Sequence, residues 1–265
     1  MGFLVSGMAT ICLFAMISMI FKDVGIGVLF NFDAFLIVIG GTATALLIGF
    51  PVKRITATIH DLIATFRSVG TREDITQEIV RIARMHRKSE LRKLEASISD
   101  TKDAFLKIGI NMLLNGYKSE EIRNTMEREM ATRIIDLNLS QNVLMTMARL
   151  TPSFGLAGTV ISLIKIFRHF QSFETVIPIM AIALMSTFYG VFLSNLILLP
   201  LSAKIKERAI LCEELMQMTV EGIVEINKGE YPLKIEEKLL GCSDADTERY
   251  VVKNINALRS AKSLN

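Results

Sequence analysis

The chain has 265 residues, of which 51% are hydrophobic, and its mean hydropathy is +0.41. This composition excludes an ordinary soluble domain and places part of the chain in lipid. The formal net charge of +3 is too small to indicate nucleic-acid binding, and three isolated cysteines indicate neither a disulfide framework nor a metal site.

Two uncharged runs near the start of the chain predict a helical hairpin across the membrane. Gly2–Phe21 is long enough to cross a hydrocarbon core as a helix, which takes about 20 residues, and Ala34–Val52 is the second run. A cleaved signal peptide is the alternative for the first run, which lacks a basic segment before it and a small-residue cleavage site after it. We therefore assign transmembrane helices 1 and 2 to residues 1–52.

Residues 53–150 form a predicted cytoplasmic helical domain. Apolar residues recur there at spacings of three and four, and the first helix, over Lys53–Arg67, is amphipathic, which is typical of a helix on a membrane surface. Ser119 followed by two glutamates predicts the start of a helix that runs towards the membrane. No stretch alternates as a β-strand does, so the predicted fold class is all-α.

Residues 151–203 hold two further predicted spans. Transmembrane helix 3 covers Thr151–Phe167 and transmembrane helix 4 covers Val176–Ala203. With the first two spans they make a polytopic protein with four transmembrane helices. No internal repeat of spans is visible, which disfavours a solute transporter.

Residues 204–265 form a predicted helical tail in the cytoplasm. Gly229 is expected just after the end of one helix, and Pro232 is expected to open the next. Of the 30 Lys and Arg residues, 17 lie in 53–149 and 10 in 204–265. Because cytoplasmic segments are rich in Lys and Arg, both termini and the domain between spans 2 and 3 are expected in the cytoplasm.

None of the four predicted spans contains Asp or Glu. Ion movement through lipid ordinarily requires an ionisable group at depth, so a carboxylate would have to come from another chain. Hydroxyl and amide oxygens are suitable ligands for a partly dehydrated cation or a water chain, but such residues are also usual in helix packing interfaces. The sequence leaves both interpretations open for six residues: Thr159, Ser162, Ser186, Thr187, Ser194 and Asn195.

Pro152 and Pro200 lie near the cytoplasmic ends of spans 3 and 4. Each removes a backbone hydrogen bond and permits a kink or hinge. For Pro152 the alternative is a place in the first turn of a helix that Thr151 caps. Pro200 follows a long helical run, so that alternative does not fit it.

Several motifs accompany the arrangement of four spans with a large loop between spans 2 and 3. They are Leu94-Glu-Ala-Ser-Ile98, Asp103-Ala-Phe-Leu106, Asn115-Gly-Tyr117, Thr151-Pro-Ser-Phe-Gly-Leu-Ala-Gly-Thr159 and Ser186-Thr-Phe-Tyr-Gly190. In this combination the chain resembles the flagellar motor stator subunits of the MotA/PomA family over almost its whole length.

The resemblance implies that the chain forms an ion channel with a single-span partner of the MotB/PomB type. Flow of H+ or Na+ through the channel would generate torque on the rotor protein FliG, without a cofactor. A homopentamer of this chain around two partner copies, embedded in the lipid of the cytoplasmic (inner) membrane, is also implied. An aspartate of the partner would carry the ion.

The resemblance also assigns family roles to matching residues in the spans. Thr159 and Thr187 match hydroxyls that line the ion path in sodium-type members, and Ser186 lies beside them. Pro152 and Pro200 match prolines that couple ion passage to conformational change. Thr159 stands where many proton-type members have alanine, which favours sodium, although a hydroxyl also serves a water chain for protons.

The rotor-facing charges match a dense patch of mixed sign in the cytoplasmic domain. Arg87 and Glu95 match the family's rotor-facing residues, with Lys88 and Glu90 close by. The family commonly has Glu-Gly-Leu-Leu-Ala-Leu-Glu here, whereas Ser89-Glu-Leu-Arg-Lys-Leu-Glu95 is more basic. A solvated helix face is the alternative, since exposed ion pairs contribute only about 0–1 kcal/mol to stability.

Two other protein classes fit less well. A subunit of the ExbB/TolQ type, which energises outer-membrane processes, has three spans, and the additional N-terminal hairpin here argues against it. An enzyme is not predicted, because no nucleophile and base pair, Gly-rich phosphate loop or metal-ligand spacing is recognisable.

Overall fold

The computed structural model describes residues 31–67, 70–88, 94–95, 101, 103–168 and 173–241, which form helices and turns without a strand. The predicted all-α fold class is thus confirmed. The predicted span over Gly2–Phe21 lies outside the described residues. The helices are α1 (Phe32–Gly49), α2 (Val52–Thr65), α3 (Arg72–Arg87), α4 (Ala104–Leu114), α5 (Ser119–Arg168), α6 (Phe173–Phe192), α7 (Leu199–Asn227) and α8 (Pro232–Gly241), with a π-helical segment, Leu193–Leu198, between α6 and α7.

Three helical stretches are long and apolar enough to cross a membrane. They are α1, a part of α5, and the run Glu174–Asn227, which contains α6, the π-helical segment and α7. These stretches correspond to predicted spans 2, 3 and 4. Large apolar side chains such as Ile48 and Phe167 are more than four-fifths exposed, as expected for residues that meet lipid or another chain.

Helix α5 continues across the predicted boundary between the cytoplasmic domain and span 3. It begins at Ser119, as predicted, with Glu120 and Glu121 in its first turn, but it continues without a break to Arg168. The helix that contains predicted span 3 thus begins well before Thr151, and the start of the membrane-spanning part at Thr151 stays a prediction. The sequence changes from polar to apolar near that point, and this change alters what surrounds the helix without ending its backbone hydrogen bonds.

The chain divides into two compact units, and α2, α5 and α7 contribute residues to both. The first unit falls within Met1–His60 and Ser140–Lys204, and the second within Asp61–Leu139 and Ile205–Asn265. The limits of these units differ by eight, eleven and one residues from the predicted boundaries at 53, 151 and 204, respectively. The predicted domain limits rest on changes in composition along the chain, whereas the compact units are defined by contacts between residues.

In the first unit α1 packs against α6 and α5. The Tyr189 hydroxyl of α6 accepts a hydrogen bond from the Asn31 N–H at 2.9 Å, and the Phe35 and Tyr189 rings meet edge to face with their centroids 6.2 Å apart. On the α5 side, the Phe154 ring occupies the space that a side chain at Gly41 would need. Glycine at this position therefore lets the two helices approach closely.

The second unit is built around an apolar core. Its largest fully buried side chains come from several helices and include Ile79 of α3, Phe105 of α4, Ile122 of α5, Ile223 of α7 and Ile235 of α8. Along the helices the buried apolar residues recur at the helical spacing that the sequence predicts.

Local signals fix the beginning of α3 and the end of α7. Thr71 and Asp74 form a capping box, and the backbone N–H and hydroxyl of Thr71 lower the pKa of the Asp74 carboxyl. Gly229 has a φ of 78°, and its N–H donates to the Ile226 carbonyl at 3.0 Å. The predicted end of this helix before Gly229 is thus confirmed, as is the predicted start of α8 at Pro232.

We expect Ile223→Ala to lower the free energy of unfolding by about 2–5 kcal/mol, because it leaves a cavity in the core of the second unit. Leu211→Ala, on the same helix with 43% of the residue exposed, is the matched control and should cost much less. Thermal unfolding of the detergent-solubilised protein measures both. Equal losses for the two variants would contradict this account of the core.

Candidate functional site

Helices α5 and α6 approach each other so closely that backbone meets backbone. A Cβ atom at Gly155 would lie 2.8 Å from the Ser186 carbonyl oxygen, and one at Gly190 would lie 2.9 Å from the Thr151 carbonyl oxygen. We call Gly155, Gly158, Ser186 and Gly190 the small-residue seam. Such a seam lets two helices pack in lipid, where no hydrophobic force drives them together.

Ser186 lies inside this seam. The residue is fully buried, its hydroxyl donates to the Ile182 carbonyl at 2.8 Å, and a Cβ at Gly158 would lie 2.6 Å from its Oγ. Its hydroxyl therefore fills the space above Gly158 and already has a partner in its own helix. Of the two interpretations left open by the sequence, helix packing is the one that this geometry favours for Ser186.

Thr159 and Thr187 are only partly buried. The Thr159 hydroxyl donates to the Leu156 carbonyl at 2.6 Å, which leaves the lone pairs of its oxygen available to an ion or a water. Thr187 lies at the close approach of the helices, since a Cβ at Gly155 would be 3.3 Å from its Cα. Each threonine follows a seam residue in sequence, and each retains an exposed portion that Ser186 lacks.

The two prolines lie inside helical runs. Pro152 is in the interior of α5, so the alternative that places it in the first turn of a helix is wrong. Thr151 does not cap a helix, because its hydroxyl donates to the Met147 carbonyl at 2.6 Å within α5. Pro200 is the second residue of α7, and only Leu199 separates it from the π-helical segment. π-helical turns are frequent where a proline or a functional site disturbs a helix.

The charged patch lies in the second unit. Arg87 and Lys88, at the end of α3, and Glu95 are exposed, while Glu90 lies outside the described residues. The Arg87 guanidinium lies 3.5 Å from the centroid of the Tyr231 ring, a cation–π contact that holds this charge in place. Sequence reasoning missed Tyr231, because no local pattern links an aromatic residue after α7 to an arginine on α3.

Glu95 follows a residue that is anchored in the core. Leu94 is fully buried in the apolar cluster of the second unit, whereas the next residue, Glu95, is exposed. A buried neighbour restricts the backbone from which the carboxylate projects. The patch therefore contains two charges with restricted positions, Arg87 and Glu95.

Within the part of the chain that the structure describes, no three His, Cys, Asp or Glu residues are grouped as metal ligands. The chemistry that the first unit offers is that of hydroxyl and carbonyl oxygens between helices. These groups coordinate or relay an ion but do not bond to it covalently.

Comparison with known proteins identifies the family. Residues 97–218 match the family model described as "MotA/TolQ/ExbB proton channel family". The motility protein A of Bacillus subtilis is 31% identical over 227 residues, which cover 84% of this chain and 84% of that protein. The chain belongs to the MotA family.

Two solved structures of MotA-containing complexes have a similar fold. The flagellar MotAB stator complex from Bacillus subtilis matches with a TM-score of 0.74 and 27% identity, covering 89% of this chain and 96% of that one. The MotAB of C. jejuni has a TM-score of 0.80 at 21% identity and covers 91% of this chain and 95% of that one, which supports the fold. The helical architecture is thus that of the family's stator subunits.

We expect Gly190→Ala to destabilise the protein by about 1–3 kcal/mol, because the new methyl group meets the backbone of α5 and overpacks the seam. Gly40→Ala is the matched control, since nothing lies within 4 Å of its Cβ position and it gains only helix propensity. Melting temperatures of the purified variants measure the difference. If both substitutions raise the melting temperature equally, the close approach of α5 and α6 is not required.

Proposed function

We propose that this chain is the stator subunit of a flagellar motor, which forms an ion channel with a MotB/PomB-type partner and converts ion flow into torque. The observation that carries the proposal is 31% identity to a motility protein A over 84% of both chains. The fold shared with a flagellar MotAB stator complex supports it. The chain is a channel subunit and not an enzyme.

The partner supplies the ion-carrying carboxylate. None of the predicted spans of this chain contains Asp or Glu, and a charge moving through lipid ordinarily needs an ionisable group at depth. Thr159 and Thr187, with Ser186 beside them, line the path along which the ion reaches the partner. The exposed parts of the two threonines support this role more strongly than the enclosed hydroxyl of Ser186 does.

Assembly and orientation follow from the same proposal. Four spans cross the inner membrane with both termini in the cytoplasm, and five copies surround two copies of the partner. The concentration of Lys and Arg in 53–149 and 204–265 supports this orientation. The large exposed apolar side chains of α1, α5 and α6 leave surface for lipid and for neighbouring copies.

The exposed charged patch engages FliG. Arg87 and Glu95 are the principal contacts, with Lys88 and Glu90 beside them. Charges at an interface guide encounter and register, which suits an element that must meet successive rotor subunits. The restricted positions of Arg87 and Glu95 support their place in this interface.

Deletion of the gene tests the proposal. Complete flagellar filaments in electron micrographs of cells that do not swim in soft agar are the expected result, restored by the wild-type gene. The family description also includes TolQ and ExbB. Swimming cells with defective outer-membrane uptake or integrity would overturn the proposal in favour of that function.

Glu95→Lys is expected to lower swimming speed severalfold, because it reverses a charge that faces the rotor, while the protein level in the membrane is unchanged. Glu207→Lys, which reverses an exposed charge on α7, is the control and should leave swimming speed unchanged. Speeds of tracked cells measure both. Unchanged speed in the Glu95→Lys strain would remove Glu95 from the interface.

The ion path favours sodium, and Thr159→Ala tests this. Loss of an oxygen ligand should raise the sodium concentration that gives half-maximal speed roughly tenfold, which corresponds to about 1.4 kcal/mol. Thr159→Ser keeps the oxygen and should keep the wild-type concentration dependence. Swimming speed that never depends on sodium, in wild type or variant, would identify the ion as a proton.

A further inference from the structure

Pro152 removes the usual hydrogen-bond donor of the Ala148 carbonyl. In a regular α-helix the N–H of residue 152 donates to the carbonyl of residue 148, and proline has no N–H. Pro152 lies in the interior of α5, so the preceding turn cannot be treated as a helix end. Ala148 is only 3% exposed, so its carbonyl must find a donor from protein rather than from water.

Ser194 supplies that donor from another helical segment. Its hydroxyl donates to the Ala148 carbonyl at 2.6 Å, and the residue is only 4% exposed. The hydroxyls of Thr42, Thr151 and Ser186 instead donate to carbonyls four residues earlier in their own helices. The carbonyl freed by Pro152 explains why Ser194 reaches across to α5.

The other partner of this hydrogen bond, Ser194, also lies close to a proline in sequence. Ser194 lies in the π-helical segment, where the Leu199 N–H donates to the Ser194 carbonyl. Pro200 follows at once, and a proline ring clashes with the carbonyl four residues earlier in a regular α-helix. The Ser194 to Ala148 hydrogen bond therefore joins the turn of α5 that lacks an N–H at Pro152 to the π-helical segment that precedes Pro200.

We propose that Ser194 is a positioning residue that couples the Pro152 and Pro200 segments, so that movement of one is transmitted to the other during ion passage. This inference rests on the proposed stator function. It assigns to one buried hydroxyl the mechanical link between the two prolines.

Ser194 has a second acceptor available, which makes the link reversible. A serine in a helix can donate to the carbonyl four residues earlier, which for Ser194 is that of Gly190. Ser186, eight residues earlier in the chain, makes this type of bond to the Ile182 carbonyl at 2.8 Å. When the Ser194 hydroxyl switches between the carbonyls of Ala148 and Gly190, the link to α5 is broken or formed, and the hydroxyl keeps an acceptor throughout.

Torque per stator unit is the first measurement. Stepwise increases in the speed of a tethered motor, as units are incorporated one by one, give the increment per unit separately from the number of units. We expect Ser194→Ala to lower the increment roughly twofold or more while units still incorporate, and Ser194→Thr, which keeps the hydroxyl, to restore it. Ser153→Ala is the control, because its exposed hydroxyl donates within α5 to Arg149.

The second measurement is a double-mutant cycle of Ser194→Ala and Pro152→Ala. Its readout is the melting temperature of the purified complex of this chain with its partner. Alanine at 152 provides the N–H that Ala148 lacks, so Ser194 is no longer needed there. Ser194→Ala should lower the melting temperature by several degrees when Pro152 is present and have little effect when it is replaced.

The outcomes separate this inference from the proposed function. Equal losses of melting temperature in both backgrounds would mean that Ser194 only fills space, and no loss in either would mean that its hydrogen bond is dispensable; each overturns the inference. Cells that swim normally without the gene would refute the stator function, whereas the melting-temperature cycle would still decide whether Ser194 serves the Pro152 carbonyl.

Discussion

A buried backbone carbonyl that loses its helical partner cannot bond to water instead, and this constraint organises the first unit around Pro152 and the buried residue Ala148. The small-residue seam brings α5 and α6 within backbone contact, since side chains at Gly155 or Gly190 would collide with the facing helix. Only at such a distance can a side chain as short as Ser194 reach the Ala148 carbonyl. The hydrogen bond from Ser194 that replaces the missing N–H of Pro152 thus depends on the close helix packing at the seam.

Hydroxyl residues in the spans serve two purposes that the sequence does not distinguish. Ser186 and Ser194 are buried, and each satisfies a carbonyl at 2.6–2.8 Å, so both contribute to the packing and hydrogen bonding of helices. Thr159 and Thr187 are less buried. Under the proposed function, Ser186 and Ser194 keep the helices packed, and Thr159 and Thr187 present oxygen to the passing ion.

In the second unit, exposed charged side chains are held in restricted positions. Exposed Lys and Arg side chains lose much conformational entropy when fixed, so a charge that is already held makes a better contact. Tyr231 holds the Arg87 guanidinium, and the buried Leu94 restricts the chain beside Glu95. Lys88, which is exposed at the end of α3, complements these two as a more adaptable charge.

The sequence by itself determined the features that depend on neighbouring residues. Uncharged runs, apolar periodicity and end signals predicted the all-α class, three helices long and apolar enough to cross a membrane, and the helix limits at Ser119, Gly229 and Pro232, because hydropathy and backbone preference are local. Only the tertiary structure decided that Pro152 lies within a continuous helix, that Ser194 serves Ala148, and that Tyr231 holds Arg87. The first was open because a proline fits the first turn of a helix as well as a kink within one. The other two are contacts between residues far apart in the chain, and the local sequence does not specify which distant group will lie beside a hydroxyl, a freed carbonyl or a guanidinium.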